Sequence, residues 1–179
     1  GHTAILHTTN YTHFDVLAKT LDDAAGEAFD KCARVLGLPY PGGPNIQRAA
    51  EGGRTDIAFP SALVKHSASP AFSYSGLKTA VINYCHNASQ KGQVVNVADV
   101  AASFQKAAVD PLVENVVKFA LQLGVDTVTA GGGVIANRYL REHLSAECKR
   151  AGLKLVLPQV KYCTDNAAMI AAEGLNKYL

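Results

Sequence analysis

The spacing of apolar positions changes from strand-like to helix-like early in the chain. Residues 3–8 and 14–20 are short runs rich in β-prone side chains, and they predict a hairpin. Residues 20–37 then place apolar side chains at a helical period and end in glycine, which predicts a helix. Thr20 and Asp23 have the spacing of a capping box, so we expect the helix to start there.

The middle of the chain predicts turns and shorter helices. Pro44 suits the first position of a helix, which makes Gly43 the predicted N-cap. Residues 54–74 resemble a loop, apart from a short strand predicted at 56–59. The next helix is expected to begin with Ser75 as its N-cap.

The second half of the chain has the clearest periodicity. Asn96 is the predicted cap of a long helix over 97–123, and Pro111 within it predicts a kink or a break with Asp110 as a new N-cap. Residues 125–157 read as strand, helix and strand, which predicts a parallel, right-handed βαβ unit. The order of hairpin, helices and βαβα predicts an α/β domain with a mixed sheet flanked by helices.

The composition indicates a globular protein but does not identify a binding partner. The 179 residues are 48% hydrophobic and 18% charged, which is typical of one globular core or one lobe of a larger enzyme. The net charge of +2 neither requires nor excludes a nucleic acid. The four cysteines have no metal-binding spacing and are expected to be reduced thiols. No membrane span or signal peptide is visible, so we expect a cytoplasmic protein, and the start at Gly1 suggests a fragment.

The candidate chemistry begins at the glycine turn between strand 125–130 and the helix that opens at Asn137. Glycines allow a ligand to approach the backbone, and a helix N-terminus favours anions. Residues 131–136 satisfy G-x-G-x-x-A, so a Rossmann dinucleotide site is one alternative, but the next strand ends without the carboxylate that such a site needs. The other alternative is an ATP site shared with the Gly42–Gly43 turn and the carboxylates of 23–30.

Several of these residues also have a structural interpretation. The acidic face of 23–34 is either solvated, with an ion pair between Asp30 and Arg34, or presents carboxylates to sugar hydroxyls or a metal. Lys78 lies in the first turn of a helix and is either simply exposed or functional. Asp165 is either the N-cap of the last helix or a metal ligand.

Five motifs occur in a fixed order that resembles one family. They are Thr20-Leu-Asp-Asp-Ala-Ala-Gly-Glu-Ala-Phe-Asp-Lys31, Tyr40-Pro-Gly-Gly-Pro44, Phe72-Ser-Tyr-Ser-Gly-Leu-Lys-Thr79, Gly132-Gly-Val-Ile-Ala-Asn-Arg138 and Cys163-Thr-Asp-Asn166. The chain is thereby similar to the tRNA N6-adenosine threonylcarbamoyltransferases, formerly called glycoproteases or O-sialoglycoprotein endopeptidases. The resemblance implies an actin-like ATPase fold (ribonuclease-H-like) and makes residues 1–179 the C-terminal lobe of a two-lobe enzyme, shortened on its N-terminal side and at its tail.

The resemblance also implies site residues. Gly1 matches the nucleotide-binding turn, Asp30 the ribose-binding aspartate, and Gly43 and Asn137 the adenosine pocket. Gln47 stands where archaeal and eukaryotic relatives tend to have a glutamate that contacts ribose. Asp165 matches an aspartate that binds one iron or zinc ion together with two histidines of an H-x-x-x-H motif, and this motif is absent from the sequence. No catalytic side chain is assigned.

The implied reaction transfers a threonylcarbamoyl group from threonylcarbamoyl-adenylate to N6 of adenosine 37 in tRNAs that read ANN codons, and the nucleotide ligand is this adenylate or ATP. Implied partners are tRNA and, in bacteria, a paralogous protein of actin-like fold and an ATPase of the same pathway. Lys78, Arg138 and Arg141 are candidates for tRNA phosphate contacts. The alternatives are a kinase of the same fold and a non-catalytic docking lobe. A protease lacks support because no H-E-x-x-H motif or catalytic triad is present.

Overall fold

The computed structural model describes residues 1–10, 13–64 and 70–178, and the N-terminal part forms a four-stranded sheet. β1 (Ala4–Thr8) and β2 (Phe14–Thr20) pair antiparallel, which confirms the predicted hairpin; residues 11 and 12 of its loop lie outside the described residues. β2 is also parallel to β4 (Ala71–Phe72), which in turn pairs antiparallel with β3 (Leu63–Val64). The strand order is β1-β2-β4-β3, so the expected mixed sheet is confirmed.

The short strand predicted at 56–59 is wrong. These residues form no strand, and their backbone runs along α4 (Val97–Leu123), where Ser103 Oγ accepts the N–H of Ile57 at 3.2 Å. The two strands that complete the sheet lie further along the chain: β4 pairs with β2, and β3 pairs with β4. The residues between them, 65–69, lie outside the described residues, as does part of the loop predicted over 54–74.

The predicted βαβ unit is confirmed. β5 (Thr127–Thr129) and β6 (Lys154–Val156) are parallel and connected through α5 (Arg138–Arg150). They form a second sheet, and a cavity of about 430 Å³ lies between β5 and β1, with α4 as its floor. Ile5 of β1 and Val128 of β5 nevertheless belong to one buried core. A strand placed in this cavity would face the end strand of each sheet.

The first two helices begin at other residues than predicted. α1 (Ala25–Val35) starts after Ala24, and its first N–H is accepted by Thr3 Oγ1 at 2.9 Å. The capping box at Thr20 is therefore wrong, because Thr20 is the last residue of β2 and its hydroxyl donates to the carbonyl of Asp23. α2 (Gly42–Ala49) has Pro41 as its N-cap, so Gly43 lies inside the helix.

The long helix α4 is continuous, so the predicted break with a new N-cap at Asp110 is wrong. Asn96 caps it as predicted, with its side chain accepting from the N–H groups of Ala98 and Asp99. Pro111 lacks the N–H that would bond to the carbonyl of Ala107. That carbonyl instead accepts the N–H of Ala62 at 3.3 Å, which compensates for the lost helix bond.

A carboxylate distant in sequence caps α3 (Tyr74–Gln90). Asp22 accepts from Ser73 Oγ at 2.6 Å and from the N–H groups of Tyr74 and Ser75 at 2.8 and 3.2 Å. Ser75 is therefore not the N-cap: Ser73 holds that position, and the side chain of Asp22 supplies the acceptor. Burial raises the pKa of Asp22, but the hydrogen bonds from Ser73, Tyr74 and Ser75 outweigh it and bring the pKa below its ordinary value.

Replacing Asp22 with alanine is expected to lower the free energy of unfolding by about 1 kcal/mol at pH 7, because α3 loses its capping acceptor. The folded pKa is lowered, so the stabilisation is present above the unfolded pKa and is lost as pH falls through the folded value. Urea unfolding of wild type and Asp22→Ala should therefore give a clear difference at pH 7 and a smaller one near pH 3. An equal difference at both pH values would refute the assignment, and Asp22→Asn, which keeps an acceptor, should retain most of the stability at pH 7.

The interior is a single apolar cluster with unoxidised thiols. All four cysteines are free, as expected, and burial raises the pKa of Cys32 to about 12, so it stays protonated at neutral pH.

The last helix, α6 (Ala167–Tyr178), buries none of its residues. Over the described residues, no helix combines the length and the apolar character that a membrane crossing needs.

Candidate functional site

One cavity brings together the five residues predicted to bind nucleotide. Its volume is about 560 Å³, within the usual range for small-molecule sites. It lies where α1, the start of α2 and the turn before α5 meet, which are the three junctions expected from the sequence. The five predicted residues all line it: Gly1, Asp30, Gly43, Gln47 and Asn137. Their placement is thus observed, and their contacts to a nucleotide stay a prediction.

Asp30 connects two of these junctions. Its Oδ1 accepts the N–H of Gly42 at 2.7 Å, one of the first-turn N–H groups of α2 that have no partner within the helix. The ion pair between Asp30 and Arg34 is not among those formed by the described residues. Asp30 is half-buried at the cavity wall, and its second carboxylate oxygen can accept two further hydrogen bonds.

Gly42 is the glycine that this contact requires. A Cβ built on it would overlap the Cα of Asp30 and lie 2.7 Å from both Asp30 Oδ1 and the carbonyl oxygen of Phe29. A Cβ on Gly43 would meet no protein atom within 4 Å. Gly42 thus sets the close approach of α2 to α1, whereas Gly43 only borders the cavity.

Asn137 forms the third wall and is the N-cap of α5. Its Oδ1 accepts the N–H of Leu140 at 2.9 Å, and its Nδ2 donates to Oε1 of Gln105 at 2.8 Å. Both side chains are buried, so Gln105 holds the amide in one orientation. One N–H and one acceptor position remain for a ligand. Nothing in the sequence indicates Gln105, because it lies 32 residues away within the α4 pattern.

Gln47 joins the second and third junctions. Its Oε1 accepts the backbone N–H of Arg138, the first residue of α5, at 2.7 Å. Its acceptor therefore holds α2 against α5. A glutamate at this position would accept the same N–H, so the difference from archaeal and eukaryotic relatives leaves this contact intact.

The remaining carboxylates of α1 and the turn before it are mostly paired. Asp23 accepts from Lys31 Nζ at 2.5 Å and lies 3.5 Å from Lys78 Nζ. The hydrogen bond from Lys31 is the main reason that the pKa of Asp23 lies below its ordinary value. The Lys78 side chain is 26% exposed and so is neither fully exposed nor free of a partner. A phosphate contact by Lys78 stays a prediction.

The two arginines predicted to contact tRNA differ in their surroundings. Arg138 is exposed and pairs with Glu51 at 2.9 Å and Glu142 at 3.9 Å. Arg141 is half-buried and donates to the carbonyl oxygens of Ile135 at 3.2 Å and Pro158 at 2.9 Å. Neither arginine lines the cavity. Their contacts to tRNA phosphates stay a prediction.

Asp165 does not cap the last helix. Asn166 Oδ1 accepts the N–H of Met169, so the N-cap interpretation of Asp165 is wrong. Asp165 is exposed. Within 1–10, 13–64 and 70–178 no three His, Cys, Asp or Glu side chains are grouped closely enough to hold a metal ion, so these residues alone do not form the implied iron or zinc site.

The fold is a mixed α/β fold of the actin-like type, as expected from the sequence. The chain superposes on a full-length HypF crystallised with phosphate and nucleotide, with a TM-score of 0.63 and 17% identity over 88% of this chain and 21% of HypF. It superposes equally on HypF of T. kodakarensis, with a TM-score of 0.63 and 18% identity over 94% of this chain and 21% of that one. At this identity the likeness concerns the fold alone.

The chain belongs to the tRNA N6-adenosine threonylcarbamoyltransferase family, whose family model matches residues 1–172. It is 49% identical to a protein of that name from Clostridium botulinum (strain 657 / Type Ba4), over 100% of this chain and 53% of the relative. It is 50% identical to one from Bacillus subtilis (strain 168), over 97% of this chain and 50% of the relative. The chain thus spans about half the length of these curated relatives.

Proposed function

We propose that the intact protein transfers a threonylcarbamoyl group from threonylcarbamoyl-adenylate to N6 of adenosine 37 in tRNAs that read ANN codons. The family match over residues 1–172 supports this reaction. The observation that carries it is the cavity at which Asp30, Gly43 and Asn137 meet, because it has the size and the hydrogen-bonding groups for an adenosine moiety. Residues 1–179 supply the adenosine side of the site and are expected to be inactive alone.

The roles proposed for the cavity residues follow from their hydrogen-bonding capacity. The second carboxylate oxygen of Asp30 accepts the two ribose hydroxyl protons, which are donors on adjacent carbons. The Asn137 amide, held by Gln105, donates its remaining N–H to an acceptor atom of the base or ribose. Binding the adenosine in this way positions the acyl group of the adenylate for attack by the tRNA amine.

The ion and the macromolecular partners belong to the same proposal. Asp165 would supply one oxygen ligand to one iron or zinc ion, and the other ligands would come from outside residues 1–179. Such an ion would supply Lewis-acid polarisation of a carbonyl or phosphate oxygen when bound. We place the protein in the cytoplasm, with tRNA as substrate and the paralogous actin-like protein and the ATPase of the bacterial pathway as partners.

The reaction is tested with the full-length protein, its adenylate-forming partner, ATP, threonine, bicarbonate and an ANN-decoding tRNA. The expected result is threonylcarbamoyl-adenosine in the tRNA, detected by mass spectrometry of its nucleosides. A tRNA with guanosine at position 37 is the matched control and should stay unmodified, since guanine has an oxygen at C6 where adenine has the acceptor amine. ATP consumption that depends on a small-molecule hydroxyl or carboxylate, without tRNA modification, would instead favour a kinase. Partner binding without any turnover would favour a docking lobe.

A further inference from the structure

Arg141 forms a connection between two walls of the cavity that the sequence does not reveal. Its Nη1 donates to the carbonyl oxygen of Ile135, in the turn Gly133–Ala136 that precedes Asn137. Its Nη2 donates to the carbonyl oxygen of Pro158, two residues before the short helical turn Val160–Tyr162 begins. Val134 and Ala136 of the first segment and Val160 of the second all line the cavity.

Within the part of the chain that the structure describes, the other hydrogen bonds of the second segment are local. The backbone bonds of its turn are local, from Tyr162 to Gln159 at 2.8 Å and from Cys163 to Val160 at 3.1 Å. The buried Cys163 anchors it further, and the Arg141 guanidinium lies 3.9 Å from that sulfur. Arg141 is therefore the polar side chain that holds this segment against the glycine turn.

The arrangement uses a specific property of arginine. A planar guanidinium presents several N–H donors in a rigid fork, so it can bond two carbonyl oxygens on different segments at once. Lysine has the same charge on a compact, mobile ammonium group and does not reproduce this fork. Because the carbonyls accept two donors of the guanidinium, fewer donors are available for a phosphate.

We propose that Arg141 is a positioning residue of the nucleotide cavity, one that fixes the wall carrying Val160 against the turn before Asn137, and that this is its role in place of a tRNA contact. The inference rests on the proposed binding of an adenine nucleotide in this cavity. Losing one charged hydrogen bond of this kind corresponds to about 1.4 kcal/mol or more, which is a tenfold change in affinity.

The test measures the Kd for ATP by titration calorimetry and the KM values for threonylcarbamoyl-adenylate and tRNA in the transfer reaction, all with the full-length protein. Arg141→Gln and Arg141→Lys are both expected to weaken ATP binding about tenfold and to raise the KM for the adenylate, with the KM for tRNA unchanged. Arg150→Gln is the matched control, because Arg150 lies on the same helix, is exposed and, among the described residues, pairs with Glu147 alone. It should behave as wild type.

Each of the other outcomes would favour a different explanation. If Arg141→Gln raises the KM for tRNA while Arg141→Lys restores it, Arg141 binds phosphate and the inference is overturned. If both variants raise both KM values together with a lower melting temperature, the effect is general destabilisation, and the inference is likewise overturned. If wild type itself fails to bind ATP, the proposed nucleotide site is at fault. If wild type binds and both variants bind equally well, the inference on Arg141 alone is refuted.

Discussion

Replacing Gly42 with alanine is expected to lower the free energy of unfolding by about 3 kcal/mol, because the new methyl group would overlap the backbone of α1. Its Cβ would lie 2.7 Å from Asp30 Oδ1 and from the carbonyl oxygen of Phe29, and α1 cannot move aside freely because its apolar face, including Phe29 and Cys32, is packed in the core. The same substitution displaces the carboxylate that accepts the Gly42 N–H. The measurement is urea unfolding followed by circular dichroism, with ATP affinity measured below the melting temperature.

Gly43→Ala is the matched control for this prediction. Its Cβ would meet no protein atom within 4 Å, and alanine is the better helix former, so the stability should stay the same or rise. Since Gly43 borders the cavity, any loss of ATP affinity in this variant would report on the ligand and not on folding. Equal stabilities of the two variants would show that α1 and α2 do not approach as closely as described.

The second large effect is expected from Asp30→Asn, which should weaken ATP binding roughly tenfold to hundredfold and leave the fold intact. The asparagine keeps an oxygen for the N–H of Gly42, so α2 stays anchored. It replaces the second carboxylate oxygen by an NH2 group, which donates where the ribose hydroxyls also donate. The binding energy lost is that of two charge-assisted hydrogen bonds.

A comparison with 2′-deoxy-ATP assigns the lost contact to the ribose. Wild type should prefer ATP over 2′-deoxy-ATP about tenfold, whereas Asp30→Asn should bind both alike, as in a double-mutant cycle. Asp126→Asn is the control, because Asp126 is exposed and does not line the cavity. If Asp30→Asn keeps the full preference for ATP, then Asp30 does not bind the ribose.

Local patterns predicted most of the elements. The hairpin, the cap at Asn96 and the βαβ unit depend on side chains a few residues apart, so the sequence displays them directly. Two of the failed cap predictions have a common cause. Local spacing predicts caps at Thr20 and Ser75, whereas the acceptors that act belong to Thr3 and Asp22, which are distant in sequence. At Asp110 the helix simply continues.

The sequence predicted which residues line the candidate site, but it did not predict the hydrogen bonds that hold them in place. The five residues that the family resemblance implied do line one cavity. The residues that hold them in place were not marked. Gln105 and Arg141 belong to regular helical patterns, and their hydrogen bonds join positions 32 and 17 residues apart.

By itself the sequence determined the α/β class, the hairpin, the βαβ unit and the glycine turn before Asn137, since these depend on periodicity and on local backbone freedom. Only the tertiary structure decided that Gly42, and not Gly43, sets the distance between α1 and α2, and that Asn137 is held by Gln105. It also decided that Arg141 joins two loops. The physical reason is that steric overlap and buried hydrogen bonds arise between segments far apart in the chain, and no local spacing encodes them.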